Sequence, residues 1–63
     1  MSRTGGAMIL RRIEKHLRAT RMSPSTFGRK AVGDPRLVFD LRDGREPGAR
    51  VTRRIEAYLE QGR

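Results

Sequence analysis

The apolar residues of this chain recur at helical spacing, not at the alternation of a strand. From Ala7 to Arg21, Met8, Ile9, Leu10, Ile13 and Leu17 return every three or four positions, with Arg11, Arg12, Lys15 and Arg18 opposite or beside them. That pattern predicts an amphipathic first helix. Ser23 then stands where an N-cap is needed, Pro24 occupies the first helical position, where no N–H is required, and Met22 and Phe27 have the spacing of a hydrophobic staple. A second helix is expected from Pro24 through Val32, stopped by Gly33. The device repeats: Asp34 as N-cap and Pro35 at the first position open a third helix that runs through Arg42 and ends near Gly44. Gly44-Arg45-Glu46-Pro47-Gly48 reads as a loop, since proline and two glycines disfavour any continuing element. A last helix begins about Ala49, lines one face with Val51, Ile55, Tyr58 and Leu59, and stops at Gln61-Gly62. The expected architecture is all-α, a compact bundle of four short helices formed by residues 7–63. Residues 1–6, with two glycines and nothing large to bury after Met1, are expected to be a disordered lead.

Size and composition narrow the chemistry. Sixty-three residues with no cysteine, no tryptophan and one histidine suffice for one small, marginally stable domain. Such a chain has no cleft of its own in which to bury reacting groups, so an enzyme is not expected, nor is a cofactor. Lack of cysteine excludes disulfides and thiolate metal sites. His16, beside Ile13 and Leu17 and without a second histidine, reads as a partly buried spacer, and no metal is expected. Asp40 and Asp43 are three residues apart but lack a cleft that would shift their pKa values, which argues against hydrolysis.

Charge changes the picture more than size does. Fifteen basic residues against seven acidic ones give a net charge of +8, and thirteen of the fifteen are arginine. A surplus of this density favours polyanions, and the planar arginine fork matches phosphate oxygens and the guanine edge bidentately. The surplus is uneven: residues 1–21 carry six basic side chains and one acidic, whereas residues 22–48 carry five and four. The apolar run Ala7-Met8-Ile9-Leu10 is too short for a signal peptide or a membrane span, so a cytoplasmic protein without membrane attachment is expected.

The stretch from Ser23 to Gly44 resembles, without a gap, the lambda-repressor-like (Cro/cI, XRE-type) helix-turn-helix family, and in particular its very small single-domain bacterial members. Phe27 falls where that family keeps a large apolar residue, Gly28 where it keeps a small one, Val38 and Leu41 where the second helix of the pair packs inward, and Gly44-Arg45 where a glycine-basic pair ends that helix. Pro47 also fits. The resemblance extends over roughly Ile9 to Leu59. One departure is that the family's turn glycine matches Val32 here and the glycine follows at Gly33, so the turn is expected to be one residue longer. Independently, a glycine inside a helix costs about 1 kcal/mol relative to alanine, so Gly28 implies a close helix crossing that would tolerate alanine and reject leucine.

The resemblance implies a sequence-specific double-stranded DNA-binding transcriptional regulator, in the first instance a repressor without a small-molecule ligand. The helix opening at Asp34/Pro35 would enter the major groove head first. Pro35, Arg36 and Asp40 match base-contacting positions: Arg36 suits guanine, and Asp40 could accept from cytosine N4. Phe39 points away from Val38 and Leu41; it could meet a thymine methyl, the last helix or a dimer partner, and packing in the core is the expectation. Phosphate contacts would come from Ser25, Thr26 and Arg29 and, beyond the reading helix, from Arg42 and Arg45. A homodimer through Tyr58 and Leu59 would place two reading helices on two half-sites. The plainer alternative for Arg36 and Asp40, four residues apart, is a salt bridge within the helix. Rival functions are an antitoxin-like or other protein-interaction module and a non-specific nucleoid-associated DNA binder. A membrane-surface helix is disfavoured by Pro24, Gly28, Gly33, Pro35 and Gly44.

Overall fold

Four helices account for most of residues 5–61, the part of the chain that the computed structural model describes: α1 (Gly5–Thr20), α2 (Pro24–Val32), α3 (Leu37–Arg42) and α4 (Ala49–Gln61). No strand occurs among the described residues. Residues 1–4 of the expected lead lie outside them. Gly5 and Gly6, also expected in the lead, are helical, in a first turn whose N–H groups need no helical partner.

The core forms where the apolar lines of the four helices meet. Ile9, Ile13 and Leu17 of α1, Phe27 and Ala31 of α2, Leu37, Val38 and Leu41 of α3 and Ile55 of α4 are buried, while Leu10, Met22, Val32, Val51, Tyr58 and Leu59 pack half-buried around them. Met8 is the exception: it is 61% exposed, because Ile9 takes the inward position at that level of α1. His16 is half-buried, and its ring meets Phe27 and Tyr58 edge-on, with ring centroids 5.6 and 6.0 Å away; Phe27 and Tyr58 are 5.3 Å apart. This cluster ties α1, α2 and α4 together.

Helix ends are set by local hydrogen bonds. The Ser23 hydroxyl oxygen accepts from the Thr26 N–H at 3.2 Å, so the expected cap of α2 is present with Pro24 at its head. Three helices end in a left-handed residue: Arg21 (φ 58°), Gly33 (φ 76°) and Gly44 (φ 99°). At each end a donor reaches back to a helical carbonyl, Met22 N–H to Leu17, Gly33 N–H to Arg29, and Arg45 N–H to Asp40. Arg21, expected inside the first helix, therefore lies just past its end.

Gly28 is required for a different reason from the one its position suggests. A Cβ at this site would collide with the backbone carbonyl oxygen of Asp34 and stand 3.1 Å from the Leu37 Cβ. The close approach is between α2 and the backbone leading into α3, and the space excludes even a methyl group.

Candidate nucleic-acid interface

Residues Gly33–Arg36 connect α2 to α3, and they set where α3 starts. Asp34 receives the Arg36 N–H on its side chain at 3.0 Å, and its carbonyl accepts the Leu37 N–H at 3.2 Å. These bonds close a turn around Pro35, which has no N–H to contribute. The helix proper thus begins at Leu37, two residues later than expected, and Pro35 and Arg36 form its exposed approach, not its first turn. Asp34 still caps, but it caps the turn.

Six residues make up α3, with Leu37, Val38 and Leu41 buried against α1 and α2. Its other side carries Arg36, Phe39 and Asp43, all exposed, and Asp40, half-buried. The expectation that Phe39 packs in the core is overturned. It is 47% exposed, because three inward positions on so short a helix leave residue 39 pointing outward, and the Arg42 guanidinium lies 5.8 Å from its ring centre. Arg36 and Asp40 form no salt bridge with each other. Asp40 faces Arg45 instead, at 3.6 Å.

The expected phosphate-contacting residues fall into two groups. Ser25 and Arg29 are exposed on α2 and, among the described residues, Arg29 has no acidic partner. Thr26, Arg42 and Arg45 are engaged within the chain. The Ser23 hydroxyl donates to the Thr26 hydroxyl at 2.8 Å, Arg45 pairs with Asp40, and Arg42 donates two hydrogen bonds to the Glu14 carboxylate at 2.8 and 2.9 Å. This last pair fastens the open side of α3 to α1.

The fork from Arg42 holds the Glu14 carboxyl below its ordinary value of 4.5; slight burial acts the other way, and the charges of Arg42 and Arg18 add to the lowering. A carboxylate whose folded pKa is depressed contributes stability that is present above the unfolded pKa and lost as pH falls through the folded one. Acid should therefore loosen this tie below about pH 4.5, and Glu14→Gln should remove that part of the pH dependence. Both side chains are a third or more exposed, so water screens the pair and the effect is small beside that of any core substitution. Melting curves of the two proteins from neutral to acid pH check this; parallel losses of stability would refute it.

Phe27, Tyr58 and a partly buried His16 were legible in the sequence, but neither the edge-on contacts among their rings nor the role of Glu14 was. Glu14 and Arg42 are 28 residues apart, and no local spacing pairs them. No group of three or more His, Cys, Asp or Glu side chains that could hold a metal occurs among the described residues, and no described helix is long and apolar enough to cross a membrane. Tyr58 and Leu59 are both half-buried against their own core, Tyr58 with its hydroxyl 3.9 Å from the Met22 sulfur. Compared with known proteins, the chain matches no family model, no curated protein and no solved structure.

Proposed function

We propose that the chain is a sequence-specific double-stranded DNA-binding regulator of transcription, in which α2, the Gly33–Arg36 turn and α3 act as a helix-turn-helix. The observation that carries this reading is the two-sidedness of α3: Leu37, Val38 and Leu41 brace it, while Pro35, Arg36 and Phe39 stand exposed at its head and outer side. A major groove about 12 Å wide admits one helix of about 10–12 Å diameter, head first. Arg36 has no acidic partner among the described residues and offers its fork to guanine. The Phe39 ring edge suits a thymine methyl, and Asp40 can accept from cytosine once Arg45 turns to phosphate. Ser25 and Arg29 add backbone contacts from α2. So short a reading helix touches few base pairs, which favours two chains on adjacent half-sites, and occupation of such a site represses transcription by exclusion.

Selection from a random duplex pool, followed by fluorescence anisotropy on the enriched sequence, tests the proposal. Arg36→Ala should lose about 1–3 kcal/mol, confined to one base position, whereas Arg45→Ala should weaken all sequences alike and lower the salt slope by about one. Failure to enrich any sequence would overturn it. The exposure of Phe39 would then favour the second reading, a protein-interaction module.

A further inference from the structure

The outer side of α1 is not used by the α3 reading. A helix turns about 100° per residue, so Ile9, Ile13 and Leu17 mark the inward line of α1 and every other residue has a calculable place around it. Glu14 falls on the side of α3, where it pairs with Arg42, and Arg12 on the side of α4, where Glu56 lies 3.8 Å away. Farthest from the core stand Met8, Arg11, Lys15 and Arg18, all exposed. This line holds three cations and no carboxylate. The two carboxylates that border it, Glu14 and Glu56, are already taken by Arg42 and Arg12, and no ion pair reaches Arg11, Lys15 or Arg18 among the described residues.

Chemistry and spacing select the occupant. At about 1.5 Å of rise per residue, Arg11 to Arg18 spans roughly 10 Å along one straight row. Duplex DNA presents one negative charge per about 1.7 Å of its axis, so several phosphates face such a row, and arginine binds them by two parallel hydrogen bonds. A lipid surface would need an apolar helix face to enter; that of α1 is consumed in the core, leaving Met8 alone. Arg18 borders the concavity that it shares with Glu14, Pro24 and Arg42, whereas Lys15 and Arg11 lie about one and two turns farther along α1, away from the start of α2.

We propose that Arg11, Lys15 and Arg18 form a second, sequence-independent duplex-binding surface, so that one chain holds two segments of DNA. This rests on the reading of α3 as the first surface. The test mixes short duplexes of the sequence selected by the parent protein, carrying a donor dye, with random-sequence duplexes carrying an acceptor. Energy transfer reports bridging, and the anisotropy of one labelled duplex reports simple binding. The triple variant R11Q/K15Q/R18Q should still bind single duplexes but lose transfer by at least about tenfold, while R11K/R18K, which keeps the charges but not the forks, should bridge less than the parent and clearly more than the triple variant. The variant R36A/R45A should also lose transfer yet retain binding through α1, with an affinity that falls about 40-fold between about 50 and 200 mM salt, as three phosphate contacts require. Undiminished bridging by the triple variant would overturn the proposal, since bridging would then arise elsewhere. Complete loss of single-duplex binding in the triple variant, with R36A/R45A unaffected, would leave α1 as the sole DNA surface and overturn both the proposal and the reading of α3. Failure of the parent to bind any duplex would overturn both as well, and charge-dependent binding to phosphatidylglycerol vesicles in that case would assign the row to lipid.

Discussion

Gly28→Ala should leave the protein without a cooperative thermal transition, although alanine inside a helix ordinarily adds about 1 kcal/mol of stability over glycine. The reason is where the new methyl group would go. It would meet the carbonyl oxygen of Asp34, a backbone atom and not the flexible end of a side chain. Asp34 cannot retreat: its N–H is bonded to the Gly28 carbonyl at 3.0 Å, and its own carbonyl accepts the Leu37 N–H. Relief requires α2 to part from the turn, which would uncover Leu37 and Val38. A chain of this length holds a total stability of only about 3–9 kcal/mol at 0.05–0.15 kcal/mol per residue, so the loss is not survivable. Two controls separate this from general intolerance. Gly48 has open space around it and no left-handed backbone, so Gly48→Ala should melt as the parent does. Gly33 also has open space but a φ of 76°, so Gly33→Ala should cost about 1 kcal/mol and keep its transition. Circular dichroism melts of the three variants decide the matter, and a Gly28→Ala protein melting within a few degrees of the parent would refute the argument. The expectation from the sequence, that alanine would be accepted and only leucine refused, is corrected by this contact.

Phe27→Ala is expected to be nearly as damaging, at about 3–5 kcal/mol for a fully buried phenyl ring. Phe27 has no exposed surface and sits edge-on to Tyr58, at an interplanar angle of 88°, and to His16. Removing it opens a cavity where α1, α2 and α4 meet, so the placement of α2, and through it of α3, should fail together with stability. Phe27→Leu refills most of the space and should retain a lower but cooperative transition. The edge-to-face geometry itself is open to measurement: a double-mutant cycle between Phe27→Leu and Tyr58→Leu should show a coupling of about 0.5–1.5 kcal/mol. Additive losses would mean that the rings contribute only their buried area.

These two positions also show how far the fold could be read before the structure. The Ser23 cap, the stops at Gly33 and Gly44, and the faces of α1 and α4 all depend on bonds or periodicities spanning a few residues, and each, the exposed Met8 of α1 excepted, lies where the sequence pattern puts it. The start of α3 was harder, because Asp34-Pro35 opens a helix or a turn equally well. The Asp34 bonds to Arg36 and Leu37 decide for the turn.

By itself, then, the sequence determined that the chain is helical, where most of its helices stop, which lines of residues are apolar, and that arginine dominates its surface. Those properties follow from hydrogen bonds and side-chain periodicity within a few residues of chain. Only the tertiary structure decided that Phe39 faces outward, that Arg42 is held by Glu14 across 28 residues, that Gly28 admits no side chain, and that Glu14 and Glu56, which border the row of Arg11, Lys15 and Arg18, are taken by Arg42 and Arg12. Such features depend on which surfaces come together when the helices pack, and close packing makes that outcome a joint property of all four.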